Sequence, residues 1–130
     1  DTLDTVCALV RYHDYRPEAE KKYVRRMINR TGEYIFRMLF PIRIADTLAQ
    51  SMYKRRQKLD YEQRMMELYI EIRHSDECVS LKDLAVSGGD LIAAGMKPGK
   101  EIGEALSRLL DIVLEDPECN TKEYLLSKLH

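Results

Sequence analysis

The sequence predicts an all-α fold, a helical bundle of short to medium helices in two packed lobes. Apolar residues recur at i, i+3, i+4 and i+7 through most of the 130 residues. No segment alternates apolar and polar residues with the period of a strand. Short connectors carrying Pro, Gly, Asp or Thr separate the apolar stripes, as neighbouring helices of a bundle require. The composition agrees: 45% hydrophobic and 33% charged residues describe a folded globular chain rather than a disordered one. No apolar run approaches the roughly 20 residues of a membrane helix, and the acidic start DTLDT is not a signal peptide.

The first helix is expected over residues 3–12, LDTVCALVRY, with Leu3, Val6, Leu9 and Val10 on one stripe. Asp14 to Arg16 break it. Pro17 suits the first turn of a second helix, with Glu18 and Glu20 favourable to its dipole. That helix runs to about Arg30 and buries Tyr23, Val24, Met27 and Ile28; Thr31-Gly32 stops it. Residues 34–40 form a short apolar helix that closes before Pro41. Residues 42–58 form the next, with Ile42, Ala45, Leu48, Ala49 and Met52 inward and a cluster of cations at its C-terminal end. Asp60 caps a helix over 61–74 that turns Met65, Leu68, Tyr69 and Ile72 inward.

The polar stretch HSDECVS marks a lobe boundary near Ser75, giving units 1–75 and 76–130. Leu81, Leu84 and Val86 anchor a short segment, Ser87-Gly88-Gly89 turns the chain, and Asp90 caps the helix LIAAG. Gly95 ends it. Pro98 and Gly99 open a helix that runs to about Glu115, with Ile102, Leu106, Leu109, Leu110, Val113 and Leu114 as its stripe. Asp116-Pro117 closes it, and Asn120 with Glu123 resembles a capping box that starts the last helix. Cys7, Cys78 and Cys119 are odd in number and far apart, which reads as free thiols in a reducing, cytoplasmic compartment. The missing initiator Met suggests a fragment or a processed product.

Charge is unevenly distributed. From Arg11 to Arg64 there are 14 Lys/Arg against 7 Asp/Glu, and from Met65 to His130 there are 7 against 13. The first half therefore attracts polyanions, although scattered cations also serve as a solvated helix face. Candidate phosphate contacts there are Arg25, Arg26, Arg30, Lys54, Arg55, Arg56 and Lys58. Tyr53 and Tyr61 bracket the last four and are candidates for stacking or for the rim of a core. In the second half, the turn GMKPGKEIG places Lys97, Gly99 and Lys100 at the start of a helix. Backbone N–H groups and the positive dipole end meet there, and Gly99 and Gly103 leave room for another backbone. The same Pro and Gly also fit a turn that only joins two helices.

The stretch LAVSGGDLIAAGMKPGKEIGEALSRLLDIVLEDPECNTKEYLL resembles the C-terminal tail of bacterial tRNA nucleotidyltransferases, the CCA-adding enzymes grouped with bacterial poly(A) polymerases. Asp90, Leu91, Gly95, Pro98, Gly99, Ile102, Gly103, Leu106, Leu109, Leu110, Val113 and Asn120 fit that tail. LVRYHD, VRRMINRTGEYIFRMLF and IRIADTLAQ resemble the body region that follows an HD motif in the same family. The resemblance implies a body region at 1–75 and a tail at 76–130, which together clamp the tRNA elbow. It implies a parent enzyme that transfers CMP and AMP from CTP and ATP, with Mg²⁺ held in an N-terminal head. The sequence shows no Asp-x-Asp and no Gly-Ser pair, so no catalytic residue and no cofactor is expected within these 130 residues. The expected partners are tRNA and the head of the same chain, with no membrane. A homodimer through surface left bare by truncation is possible.

Two other readings remain. His13-Asp14 resembles the HD pair of metal-dependent phosphohydrolases, with Asp46 in the place of that constellation's last aspartate. Further His ligands are missing, so no metal is expected, and His13, Asp14 and Asp46 are the only candidate ligands. The glycine-bearing turn also resembles the hairpin of helix-hairpin-helix DNA binders, from which Pro98 and the wider glycine spacing depart.

Overall fold

The computed structural model describes residues 2–50 and 52–129, and these form seven α-helices and two 3₁₀ turns with no strand. The chain divides into two units, Asp1–Ser75 and Asp76–His130. The first holds α1 (Thr2–Tyr12), α2 (Lys21–Thr31), α3 (Glu33–Ala49) and α4 (Arg55–His74). Helices α2, α3 and α4 pack on one another, and α1 lies on α3. Val24, Met27 and Ile28 from α2, Phe36, Leu39 and Phe40 from α3, and Met65, Leu68 and Ile72 from α4 are buried. Phe36 meets Phe40 edge-on at 5.2 Å between ring centres.

Several boundaries differ from expectation. Pro17 precedes α2 instead of opening it; it is buried, and its carbonyl accepts the Tyr61 hydroxyl. Pro41 does not split α3, which runs through it. Pro41 forgoes the bond to the Arg37 carbonyl and its ring crowds that carbonyl, and both residues lie on an exposed face where the helix carries on through them. The inward stripe of this longer helix is Phe36, Leu39, Phe40, Arg43 and Thr47. The expected stripe is displaced: Leu48 is 51% exposed, and Ala45 and Ala49 face solvent. The helix ends at Ala49, so Met52 lies exposed in a connector and the cations at 54–58 open α4. Asp60 sits inside α4, where it pairs with Arg56 at 3.2 Å rather than capping the helix. Helix α1 buries none of its residues. Leu3, Val6 and Val10 are exposed, and Val6, Leu9 and Val10 line a cleft of about 250 Å³ with His13 and Ile42.

The second unit holds α5 (Gly88–Ala93), α6 (Lys100–Glu115) and α7 (Lys122–Ser127), with 3₁₀ turns at Leu81–Asp83 and Pro117–Cys119. Its core gathers Cys78, Val86, Leu91, Ala105, Leu109, Leu110, Val113, Leu114 and Leu125. The cap of α5 is Ser87, whose hydroxyl accepts from the Asp90 N–H, while the Asp90 carboxylate accepts from the Ser87 N–H at 2.8 Å. Asp90 thus closes a capping box from the third helical position instead of capping the helix itself. Lys122 reaches the same carboxylate at 2.9 Å, and together these contacts hold the Asp90 pKa below the ordinary aspartate range. Asn120 is likewise not a cap. Its side chain accepts from Ala85 N–H at 2.8 Å and donates to Asp83 O at 3.0 Å, bracing the loop before α5. Thr121 caps α7.

Candidate nucleic-acid interface

The cations at 54–58 stand at the positive end of α4. Lys54 occupies the N-cap with φ 58°, its side chain caps nothing, and no acidic residue lies in the first turn. Cations here oppose the helix dipole, so helix stability does not account for them. Part of the cluster has an internal role. Arg55 donates to the Leu48 and Gln50 carbonyls at 2.9 and 3.1 Å, closing the end of α3, and Lys58 reaches Gln50 Oε1 at 3.0 Å. Lys54 and Arg56 point outward. Lys54 lies 5.3 Å from the exposed Tyr53 ring, and Arg56 is 90% exposed. Tyr61 is a packing residue: it bonds Pro17, and burial pushes its phenol up to about 12.

The turn before α6 repeats this chemistry. Gly99 is its N-cap at φ 137°, with no side-chain cap, and Gly95 turns the chain at φ 108°. Lys97, Pro98, Gly99 and Lys100 are all exposed. Lys97 pairs with no carboxylate among the described residues, and Lys100 stands 3.9 Å from Glu104. A Cβ at Gly99 or Gly103 would meet nothing within 4 Å. Among the described residues, nothing packs against these two positions. In both units an uncapped helix N-terminus is flanked by exposed cations, which is the arrangement that binds phosphate oxygens.

The remaining candidates separate by burial. Arg30 is exposed, Arg26 is half-buried, and Arg25 is 4% exposed. Arg25 therefore belongs to the interior and is withdrawn as a surface contact. His13 donates from Nδ1 to the Val10 carbonyl at 2.6 Å, and its Nε2 stands 3.2 Å from Asp14. Asp46 accepts from Gln50 at 3.0 Å. No three His, Cys, Asp or Glu side chains converge among the described residues, so the donors present do not fit a metal held by several carboxylates or histidines. No described helix is long and apolar enough to cross a membrane.

A buried ionic cluster was not foreseen. Arg43, 1% exposed, donates to the carbonyls of Tyr12 at 3.2 Å, His13 at 3.3 Å and Tyr15, gripping the end of α1. Glu62, also buried, lies 3.9 Å from both Arg43 and Arg16. Both residues sit on the inward stripes of their helices. Reading 33–49 as one helix would have exposed Arg43 beside Phe36, Leu39 and Phe40.

These features define an all-helical protein that presents two cationic, uncapped helix starts and no catalytic metal cluster among the described residues. The chain belongs to the family described as "tRNA nucleotidyltransferase domain 2 putative", which matches residues 1–129. A 44-residue stretch is 48% identical to the CCA-adding enzyme of Limosilactobacillus fermentum (strain NBRC 3956 / LMG 18251), covering 34% of this chain and 11% of that enzyme. No solved structure matches the chain.

Proposed function

We propose that this chain is the tRNA-holding part of a nucleotidyltransferase that adds CCA to tRNA 3′ ends, gripping the tRNA elbow through its backbone. The supporting observation is the pair of uncapped helix N-termini, α4 and α6, flanked by Lys54 and Arg56 and by Lys97 and Lys100. Such sites take phosphate oxygens without reading bases, which suits a protein that must accept every tRNA. Transfer of CMP and AMP from CTP and ATP with Mg²⁺ falls, in this reading, to a head domain outside residues 1–130. The 130-residue chain alone then binds tRNA without extending it.

The test is tRNA binding as a function of salt, with Lys54→Ala/Arg56→Ala and Lys97→Ala/Lys100→Ala variants alongside. Arg55 is left intact because its bonds to α3 would confound the result. Log-linear weakening with salt is expected, and the slope should fall by about 0.7–0.9 for each phosphate contact removed. A tRNA lacking its 3′ CCA should bind as well as the mature form. Slopes unchanged in both variants would remove the assignment.

A further inference from the structure

We propose that the exposed face of α3 around Tyr34 and Arg37 seats one unstacked nucleotide of an RNA loop, its base on the Tyr34 ring and its phosphate on Arg37. The idea rests on the RNA-holding reading and adds a site of different chemistry to it. Tyr34, Arg37, Met38 and Pro41 line a cleft of about 300 Å³. Arg37 and Pro41 also line a neighbouring cleft of about 250 Å³, whose far wall is Met66 and Ile70. Each volume is at the lower edge of what holds a small ligand, so each suits one planar group rather than a long peptide.

Two observations select a nucleotide. Tyr34 is 65% exposed and stands on the same face as Arg37, Met38 and Pro41, at helical spacing, so its ring is available as a stacking platform. Arg37 is exposed and pairs with no carboxylate among the described residues. The nearby Glu33 is engaged by the Tyr69 hydroxyl at 2.5 Å and by Arg73 at 3.4 Å rather than by Arg37. Apolar walls, one exposed aromatic ring and one unpaired cation match the parts of a single nucleotide.

The experiment follows Tyr34 ring and Arg37 Nε–Hε resonances of the 130-residue chain during titration with a single-stranded RNA pentanucleotide and with its duplex. Both signals should shift with the single strand and stay in place with the duplex. Tyr34→Ala should weaken single-strand binding about 5- to 100-fold, the range of one base stacked on an aromatic ring. Tyr34→Phe should hold it within about 2-fold. Arg37→Ala should lower the salt slope by about 0.7. Both side chains are exposed, and thermal melting checks that the variants stay folded. Unshifted resonances, or equal affinity in Tyr34→Ala, would overturn the site. Shifts with a Glu-rich peptide but none with RNA would overturn it in favour of a protein partner. If tRNA binding depends on Lys54 and Arg56 while Tyr34 has no effect, only this site falls. If the pentanucleotide binds here but the basic pairs are inert, the elbow-clamp reading falls and the site stands.

Discussion

Arg43 holds α1 to the rest of its unit. Its guanidinium serves three carbonyls at the end of that helix and faces the buried Glu62. Arg43→Met would leave the buried Glu62 with Arg16 as its one remaining cation among the described residues and leave those carbonyls open. Removing one partner of a buried pair typically costs about 3–5 kcal/mol, and urea unfolding should show a loss of that order. Burial raises the Glu62 pKa above the ordinary glutamate value of 4.5, with Arg43 and Arg16 pulling it back down. Between 4.5 and the folded-state value, the folded chain keeps a proton that the unfolded chain has lost. Stability from this site therefore falls as pH rises through that window. Glu62→Gln removes the titration, so the stability of the native chain relative to this variant should decline from acid toward neutral pH. A constant difference would show that Glu62 titrates alike folded and unfolded. Lys54 poses a different question at the same scale. A lysine at φ 58° carries backbone strain that glycine would not. Lys54→Gly should raise the melting temperature and weaken tRNA binding together; a rise without weakening would make the lysine dispensable to RNA.

At the level of elements, what the sequence reveals depends on which local signal prevails. The stripes of α2 and α6 are legible because each helix carries its own apolar face into a core. α3 is misread because Pro41 looks like an end, yet the helix runs through it on an exposed face. That single error moves the stripe from Phe36–Arg43–Thr47 to Ile42–Leu48 and carries the helix past Ala49 to Lys58. It also places the cations at a helix C-terminus, whereas they begin α4. Ser87 lies three residues before the cap read from sequence for α5, and Thr121 one residue after the cap read for α7, since several polar residues in each loop are equally able to cap. The two sets of cations were visible as composition. Which of them are used internally was not, because the contacts of Arg55 reach across a turn and Arg25 is buried by its neighbours. Gly103 tests the open face of α6 directly. Glycine inside a helix is worse than alanine by about 1 kcal/mol, and a Cβ here would meet nothing. Gly103→Ala should therefore stabilise the second unit by up to about 1 kcal/mol. If RNA backbone closes on this face, the same variant should bind tRNA more weakly.

Across the whole chain, residues 1–75 carry 15 Lys/Arg and 11 Asp/Glu, and residues 76–130 carry 6 and 11. A polyanion is drawn to the first unit and, beyond local features, repelled by the second. The turn before α6 must therefore hold phosphate against its own surroundings. Glu101 and Glu104 are exposed in the first turns of α6, and Glu104 stands 3.9 Å from Lys100. Acidic residues near a helix start stabilise the helix, which gives these two a structural purpose. They also lower the potential at Lys97 and Lys100. Glu101→Gln/Glu104→Gln should cost a few tenths of a kcal/mol in helix stability. It should also release Lys100 and strengthen tRNA binding about 5-fold at low salt, with the gain fading as screening shortens the reach of charge. Lys97→Ala/Lys100→Ala in the same background should abolish the gain, because the local increase in potential acts through phosphate held at that turn. An equal gain with and without the two lysines would mean that only overall charge has changed. In that case GMKPGKEIG is a connector, and the first unit alone holds the RNA.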